Sequence, residues 1–331
     1  MLLRRLLAIA SLLTVDIGAH AECLPEAGQA GGLDTRHFVT PLAPLADAAG
    51  FSLTELRDGE PPELILGGYQ RAEDDSVLPS IGVLYAEEPQ SASGFRIRAA
   101  LPFERQFFID VTPIDGTLFG TAQRAIVALT RSRDRAESYF TVIDGASWTV
   151  AVRCKLAVEA TAAKIAAESV AGPLRLFVQS ADALRVYSLP DLSLVRTLAV
   201  AGDSGFALAQ LDDDDEEEIV LANPGLIVDA VSGLVEGSYP AGVGNNVWTG
   251  RFGINGRDGF VARDFSGMHV YSGFPYAEVW SVPQEEFTSF AQVVAVTDID
   301  GDDIDEVALA DGYTEGSIQR YSVRVFDAAS G

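Results

Sequence analysis

Asp298-Ile299-Asp300-Gly301-Asp302-Asp303-Ile304-Asp305-Glu306 decides how the rest of the chain is read. Acids fall at positions 1, 3, 5 and 9 of a short loop. Apolar runs flank it, Val293-Val294-Ala295-Val296 before and Val307-Ala308-Leu309 after. Alternate carboxylates on a tight loop can surround one hard cation with oxygen, and Ca2+ accepts about six to eight such ligands. The predicted ligands are Asp298, Asp300, Asp302, the backbone carbonyl of Ile304, and Glu306, with Asp305 the lesser choice at position nine. Gly301 eases the turn, and Asp303 falls where left-handed backbone is often needed, which Asp tolerates better than most residues. Four converging carboxylates would repel one another without an ion between them. An EF-hand would need an acid at position twelve, where Leu309 stands, and helices where these flanks read as strands.

A second loop has the same plan: Gln210, Asp212, Asp214, the carbonyl of Glu216, and Glu218, followed by Ile219-Val220-Leu221-Ala222. Its first position is neutral and no glycine relieves its turn. Glu218 and Glu306 stand 88 residues apart, two steps of 44. Two weaker copies keep the phase. Glu55 to Glu63 precedes Leu64-Ile65-Leu66, with Arg57 at position three and Gly59 at five, so a guanidinium stands in for an ion there. Gly250 to Gly259 precedes Phe260-Val261-Ala262.

Downstream of each loop lies a strand, a small turn rich in Ser, Gly, Asp or Pro, and another strand. The residues before these turns, Tyr85, Ile143, Tyr187, Val228, Tyr271 and Phe326, stand 58, 44, 41, 43 and 55 residues apart. The two long steps contain an irregular stretch, Arg131 to Ser138, and an insertion, Gly312 to Gly316, both read as loops. Four short strands per 40 to 50 residues is the pattern of a propeller blade. The predicted fold is all-β, a β-propeller of six or seven four-stranded blades. Ala-rich Leu156 to Val170 reads either as an inserted helix or, by register, as a stretch whose Ala162 to Ala167 is the inner strand of the third blade. The sixth unit reaches Gly331 before its outer strand. A bare strand edge results, to be filled by the segment near His37-Phe38-Val39-Thr40-Pro41 or by further chain.

These loops resemble the FG-GAP or VCBS-type repeats of integrin-α-like β-propellers, in which D-x-D-G-D-G-x-x-(D/E) precedes an apolar strand. Asp298-Ile299-Asp300-Gly301-Asp302 with Glu306-Val307 is a close match, and Asp212-Asp213-Asp214-Asp215 with Glu218-Ile219-Val220 a partial one. The resemblance covers roughly residues 50 to 331. It implies the fold and bound calcium, and says little of activity. The family includes adhesion proteins, lectin-like binders and propeller modules of extracellular enzymes.

Acids outnumber bases 48 to 23, for a net charge of −25. Such a chain repels nucleic acid and anionic lipid and attracts cations. Met1-Leu2-Leu3-Arg4-Arg5, the apolar run Leu6 to Val15 and Ala19-His20-Ala21 read as a cleaved secretory signal over residues 1–21. The apolar run is short for a membrane span and Asp16 ends it. The expected location is secreted, periplasmic or cell-surface. The remaining organisation is an N-terminal segment, 22–50, and the propeller, 51–331. After export the two cysteines, Cys23 and Cys154, either pair and tie the N-terminus to the body or stay free.

No nucleophile elbow, H-E-x-x-H helix or phosphate loop occurs. His269 lies in an apolar strand, Met268-His269-Val270-Tyr271, and reads as a packed or strand-exposed residue. Trp148 and Trp280 fall in hairpins and read as packing residues. Trp248, after Gly242-Val243-Gly244-Asn245-Asn246, is the candidate for a ligand contact. The expected function is an exported, calcium-binding module that binds a protein or a glycan. The alternative is an extracellular polysaccharide-cleaving enzyme or its accessory propeller.

Overall fold

The computed structural model describes residues 22–24, 46–54, 63–70, 81–90 and 94–104. It also describes 106–331, apart from 122–123, 133, 135–136, 170, 203–204, 241–246, 255–256, 288–291 and 316–317. The expected signal segment, the His37–Pro41 segment and the body of the first loop, 55–62, lie outside these residues.

Strand β1 (Glu22–Leu24) is followed by β2 (Ala46–Thr54), β3 (Glu63–Gln70), β4 (Ile81–Gln90) and β5 (Gly94–Glu104), which form the first four-stranded sheet. The second holds β6 (Gln106–Ile114), β7 (Ala125–Ser132), β8 (Ser138–Asp144) and β9 (Val150–Leu156). The third holds β10 (Ala162–Ala167), β11 (Leu174–Gln179), β12 (Leu184–Ser188) and β13 (Leu194–Leu198). The fourth holds β14 (Phe206–Ala209), β15 (Glu218–Leu221), β16 (Leu226–Asp229) and β17 (Val235–Ser238). The fifth holds β18 (Val247–Gly250), β19 (Gly259–Arg263), β20 (Gly267–Ser272) and β21 (Glu278–Pro283). The sixth holds β22 (Gln292–Thr297), β23 (Glu306–Glu315) and β24 (Ile318–Asp327). Every ladder is antiparallel. Two short 3-10 turns, Gly116–Phe119 and Gln284–Glu286, are the helical elements described.

The apolar runs explain why these segments are strands. Residues of β7 alternate between two cores: Ala125, Val127 and Leu129 face the third sheet's core, while Ile126 and Ala128 face that of the first. In β15, Ile219 and Leu221 pack toward the third sheet and Val220 toward the fifth. A strand with a core on each face reads as an unbroken apolar run. Five clusters lie between the six sheets in succession, so the sheets stack face to face in chain order. Their first strands also meet in order, β2 on β6, β6 on β10, β10 on β14, β14 on β18 and β18 on β22. Exposure rises toward the fourth strands, with three of the four residues of β17 open to solvent.

The turn between third and fourth strands repeats with one geometry. Trp148, Leu192, Gly233, Tyr276 and Gly331 all have left-handed backbone, φ 56, 53, 73, 62 and 74. In four of the five turns this residue's N–H bonds to the carbonyl four residues earlier: Asp144, Ser188, Asp229 and Asp327. The residue abuts the preceding sheet. Tyr276 lays its ring on Gly237 of β17, where a Cβ would fall 2.7 Å from Cε2. Where the turn residue is glycine, the preceding outer strand supplies the bulk: a Cβ on Gly233 would lie 2.9 Å from Leu198, and one on Gly331 3.1 Å from Trp280.

Ala162–Ala167 is a strand, the first of its sheet, which agrees with the register reading and not with the inserted helix. Other expectations change. Residues 312–315 are not loop: they pair with 318–321 and lengthen the β23–β24 hairpin, because both arms keep ladder partners past the core. The boundary at residue 50 moves, since β2 already starts at Ala46. Strand β1 adds to β9, giving the second sheet a fifth strand, so this part of the N-terminal segment does not join the last sheet. The sixth sheet has three strands among the described residues.

Candidate metal centres

Both acidic loops join the first strand of a sheet to its second. In loop 298–306, between β22 and β23, carboxylate oxygens of Asp298, Asp300 and Asp302 lie within 4.8 Å of one another. The backbone sets this up. Asp298 accepts from the N–H of Gly301 at 2.6 Å and of Asp303 at 3.0 Å, and Asp302 accepts from Ile304 at 2.9 Å. Gly301 (φ 87) and Asp303 (φ 70) are both left-handed, as the turn requires. The Gly301 hydrogen bond above all holds the Asp298 carboxyl below its ordinary range.

Glu306 is buried and stands outside that three-carboxylate group; its Oε2 accepts from Ile299 N–H at 2.6 Å. Asp305 is committed elsewhere. Its carboxylate accepts from Arg251 N–H at 2.7 Å, and its own N–H donates to the Arg251 carbonyl at 2.7 Å. It fastens the loop to the fifth sheet.

Loop 210–218, between β14 and β15, gathers Asp212, Asp214 and Glu218 within the same 4.8 Å. Asp212 accepts from Asp214 N–H at 2.8 Å and Asp214 from Glu216 N–H at 2.9 Å. Glu218 accepts from Leu211 N–H, the counterpart of the Ile299 bond in the other loop. Two further expected ligands meet within the loop. The Gln210 amide nitrogen donates to the carbonyls of Glu216, at 3.0 Å, and of Asp214, and its Oε1 accepts from Asp212 N–H at 3.0 Å. A neutral amide with N–H groups to place will do this where a carboxylate would not. Asp213 is held by Arg257, which also donates to the Phe274 carbonyl at 2.9 Å.

Glu218 is the member of this cluster whose charged form most needs a counter-charge. Its side chain is fully buried and Oε1 has no hydrogen-bond partner among the described residues. Burial, with the negative charges of Asp212, Glu236 and Asp214, pushes its carboxyl up to about 8, against the Leu211 hydrogen bond. An ionised carboxylate so placed needs a positive charge beside it. The donor set of both loops, all carboxylate oxygen, fits a hard divalent cation better than a soft one.

The remaining sequence candidates fall as follows. Trp248 is half-buried in β18 and packs on the core between the fifth and sixth sheets, so it is a packing residue rather than a loop-borne contact. Trp280 donates to the Ala328 carbonyl at 2.8 Å, and Trp148 packs between the first and second sheets. Cys154 is buried and disulfide-bonded, and Cys23, the chain's other cysteine, is its partner in backbone register.

Sequence reading missed one polar chain. Ser266 Oγ lies 2.8 Å from His269 Nε2, and His269 Nδ1 lies 3.1 Å from Glu278. Ladder register assembles it, and no spacing in the sequence signals that. The distances are those of a nucleophile, base and carboxylate. Yet Asp264 accepts from Ser266 Oγ at 2.6 Å and from the N–H groups of Ser266 and Gly267 at 2.6 and 3.1 Å. The backbone donors that would stabilise an oxyanion are thereby occupied.

No known family model and no curated protein matches the chain. Solved structures do. BBS1N, crystallised in complex with ARL6DN and soaked with lead, aligns with TM-score 0.57 and 11% identity over 93% of this chain and 85% of its own. An Agrocybe aegerita lectin that recognises non-reducing terminal N-acetylglucosamine aligns with TM-score 0.50 and 12% identity over 86% and 82%. At such identities the likeness shows the fold alone, that of β-propeller proteins. Among the described residues no helix is long and apolar enough to cross a membrane.

Proposed function

We propose that this chain is an exported β-propeller of the FG-GAP/VCBS type, stabilised by calcium, that binds a protein or a glycan. The observation that carries the reading is the recurrence of a carboxylate cluster at one structural position, the first-to-second strand loop, in two sheets. In each, the backbone N–H groups of the loop orient the acids before any ion arrives. Six sheets stacked in order through their first strands support a ring of blades. Of the two similar structures, one is a protein complex and the other a glycan-recognising lectin, which supports a binding role. The basic start, apolar run and Ala19-His20-Ala21 of residues 1–21 support export, which suits a calcium site of extracellular affinity.

The affinity typical of extracellular modules is about 10⁻⁴–10⁻³ M. At ten times the dissociation constant one site adds about 1.4 kcal/mol of stability. A chelator should therefore lower the melting temperature modestly, by a few degrees for a domain of this size. Asp300→Ala should reduce the part restored by calcium. Identical melting with chelator and with calcium, in both the unaltered chain and Asp300→Ala, would count against the metal reading.

A further inference from the structure

Phe274, in the β20–β21 turn, is 53% exposed and yet held still. Its backbone N–H donates to the Leu211 carbonyl at 2.6 Å, and its own carbonyl accepts from Arg257 at 2.9 Å. Tyr276 meets its ring edge-on at 5.7 Å between centroids, and the Arg257 guanidinium stands 6.0 Å from the ring centre. Tyr276 in turn rests on Gly237 of β17. Val235 and Leu234, two and three residues before that glycine, are 56% and 68% exposed. An aromatic ring left half in water forgoes part of its burial energy, and one already immobilised loses little entropy when a partner covers it.

The surroundings are anionic. Residues 212–218 are seven consecutive acids, and their loop touches the Phe274 turn through Leu211. Asp212, Asp214 and Glu218 converge, whereas Asp213 and Asp215 stand outside that group and are exposed. A divalent ion and the Arg257 guanidinium on Asp213 would offset three of the seven charges, so the loop stays negative with or without the ion. Arg257 also shows within one chain what the place accepts, a cation paired with a carboxylate and set beside an aromatic ring.

We propose that Phe274, with Leu234 and Val235, forms a docking surface for a basic segment of a partner protein. That segment sets a large aliphatic side chain on the ring and turns lysines or arginines toward Asp213 and Asp215. The inference rests on the reading of the chain as a binding module and names the partner's chemistry; it does not depend on calcium. Charge selects a cationic partner, and the aliphatic flank of Leu234 and Val235 favours a protein over a neutral glycan. The same charge would speed encounter and make it sensitive to salt.

The test is fluorescence anisotropy of labelled synthetic peptides of equal length against the full chain in calcium buffer. One peptide alternates Lys with Leu, one Lys with Gly, and one Glu with Leu. The Lys–Leu peptide should bind, the Lys–Gly peptide about tenfold more weakly, and the Glu–Leu peptide not at all. Phe274→Ala should weaken the Lys–Leu peptide about tenfold and Leu234→Ser about threefold, the scale of one anchor and one flanking contact. Leu234→Ser alters a solvent-exposed side chain, so it reports even where Phe274→Ala disturbs its own turn. Glu285→Gln, in the Gln284–Glu286 turn, should change nothing. Equal binding of Lys–Leu and Lys–Gly, or equal binding by the parent and both apolar variants, would reduce the effect to net charge and overturn the inference. Glu–Leu binding as tight as Lys–Leu would overturn it too. If neutral oligosaccharides bind in a Phe274-dependent way and no peptide does, the inference fails and the binding reading stands. Silence toward peptides and oligosaccharides alike would count against both.

Discussion

Gly237 and Tyr276 offer a direct test of how the sheets are fitted together. Carbon atoms rest about 3.5–4.0 Å apart, whereas a Cβ on Gly237 would fall 2.7 Å from Tyr276 Cε2 and closer still to Cδ2. Tyr276 is 9% exposed and packed against the core between the fourth and fifth sheets, so its ring has little room to yield. Overpacking of this kind costs about 1–3 kcal/mol. Replacing a strand glycine by alanine returns about 0.5–1 kcal/mol, so Gly237→Ala should destabilise by up to about 2.5 kcal/mol. Tyr276→Gly empties the site at a cost of about 3–5 kcal/mol. Relaxing a left-handed non-glycine residue offsets about 1–2 kcal/mol of that, leaving a net loss of about 1–4 kcal/mol. In the double variant the added methyl meets no ring. The loss in the double variant should therefore fall short of the sum of the two single losses by at least about 1 kcal/mol. Going further, Gly237→Leu with Tyr276→Gly would recreate the arrangement already present at Gly233 with Leu198 and at Gly331 with Trp280. Urea denaturation at constant slope reads all four corners of the cycle. Additivity within about 0.5 kcal/mol would refute the fit between turn residue and preceding outer strand.

Glu168 receives Arg175 at 3.1 Å and Arg196 at 2.6 Å, with all three side chains largely covered. Burial alone would raise its carboxyl, but the hydrogen bonds from Arg175 and Arg196 more than reverse this and hold it below the ordinary range. A depressed carboxyl contributes stability that is present above its unfolded pKa and lost as pH falls through the folded one. Glu168→Gln should thus destabilise by about 1–3 kcal/mol near neutrality, with the difference shrinking toward acid pH in denaturant melts. A difference that stays constant from pH 7 to pH 3 would contradict this. Cys23→Ser should cost about 2–5 kcal/mol, since a link from residue 23 to residue 154 closes a loop of roughly 130 residues. Thiol reductant should reproduce the loss in the unaltered chain and do nothing further to the variant.

Much of the fold was legible because its signals are local. An apolar run bounded by Asp, Ser, Gly or Pro announces a strand and its end, and the 88 residues between Glu218 and Glu306, two steps of 44, place both acidic loops in one phase. Where signals conflicted, packing arbitrated. Ala162–Ala167 has helix-forming composition, yet it pairs with β11 along its whole length and puts Ala163 and Ile165 on the core between the second and third sheets. The 312–315 segment looked like an insertion because it lacks core residues, and it still forms a ladder.

The site divides along the same line. Sequence spacing by itself determined which carboxylates share a loop, because Asp212 with Asp214, and Asp298 with Asp300 and Asp302, are brought together by a few backbone dihedrals. Only the tertiary structure decided which of them are free to act. It spent Gln210 on the Glu216 carbonyl, assigned Asp305 to Arg251 and Asp213 to Arg257, and left one oxygen of Glu218 buried without a partner. It also brought Tyr276 to Glu236 across 40 residues of chain. Contacts of that kind depend on how one sheet lies upon the next, and a pattern of residues along a single strand carries no record of its neighbour.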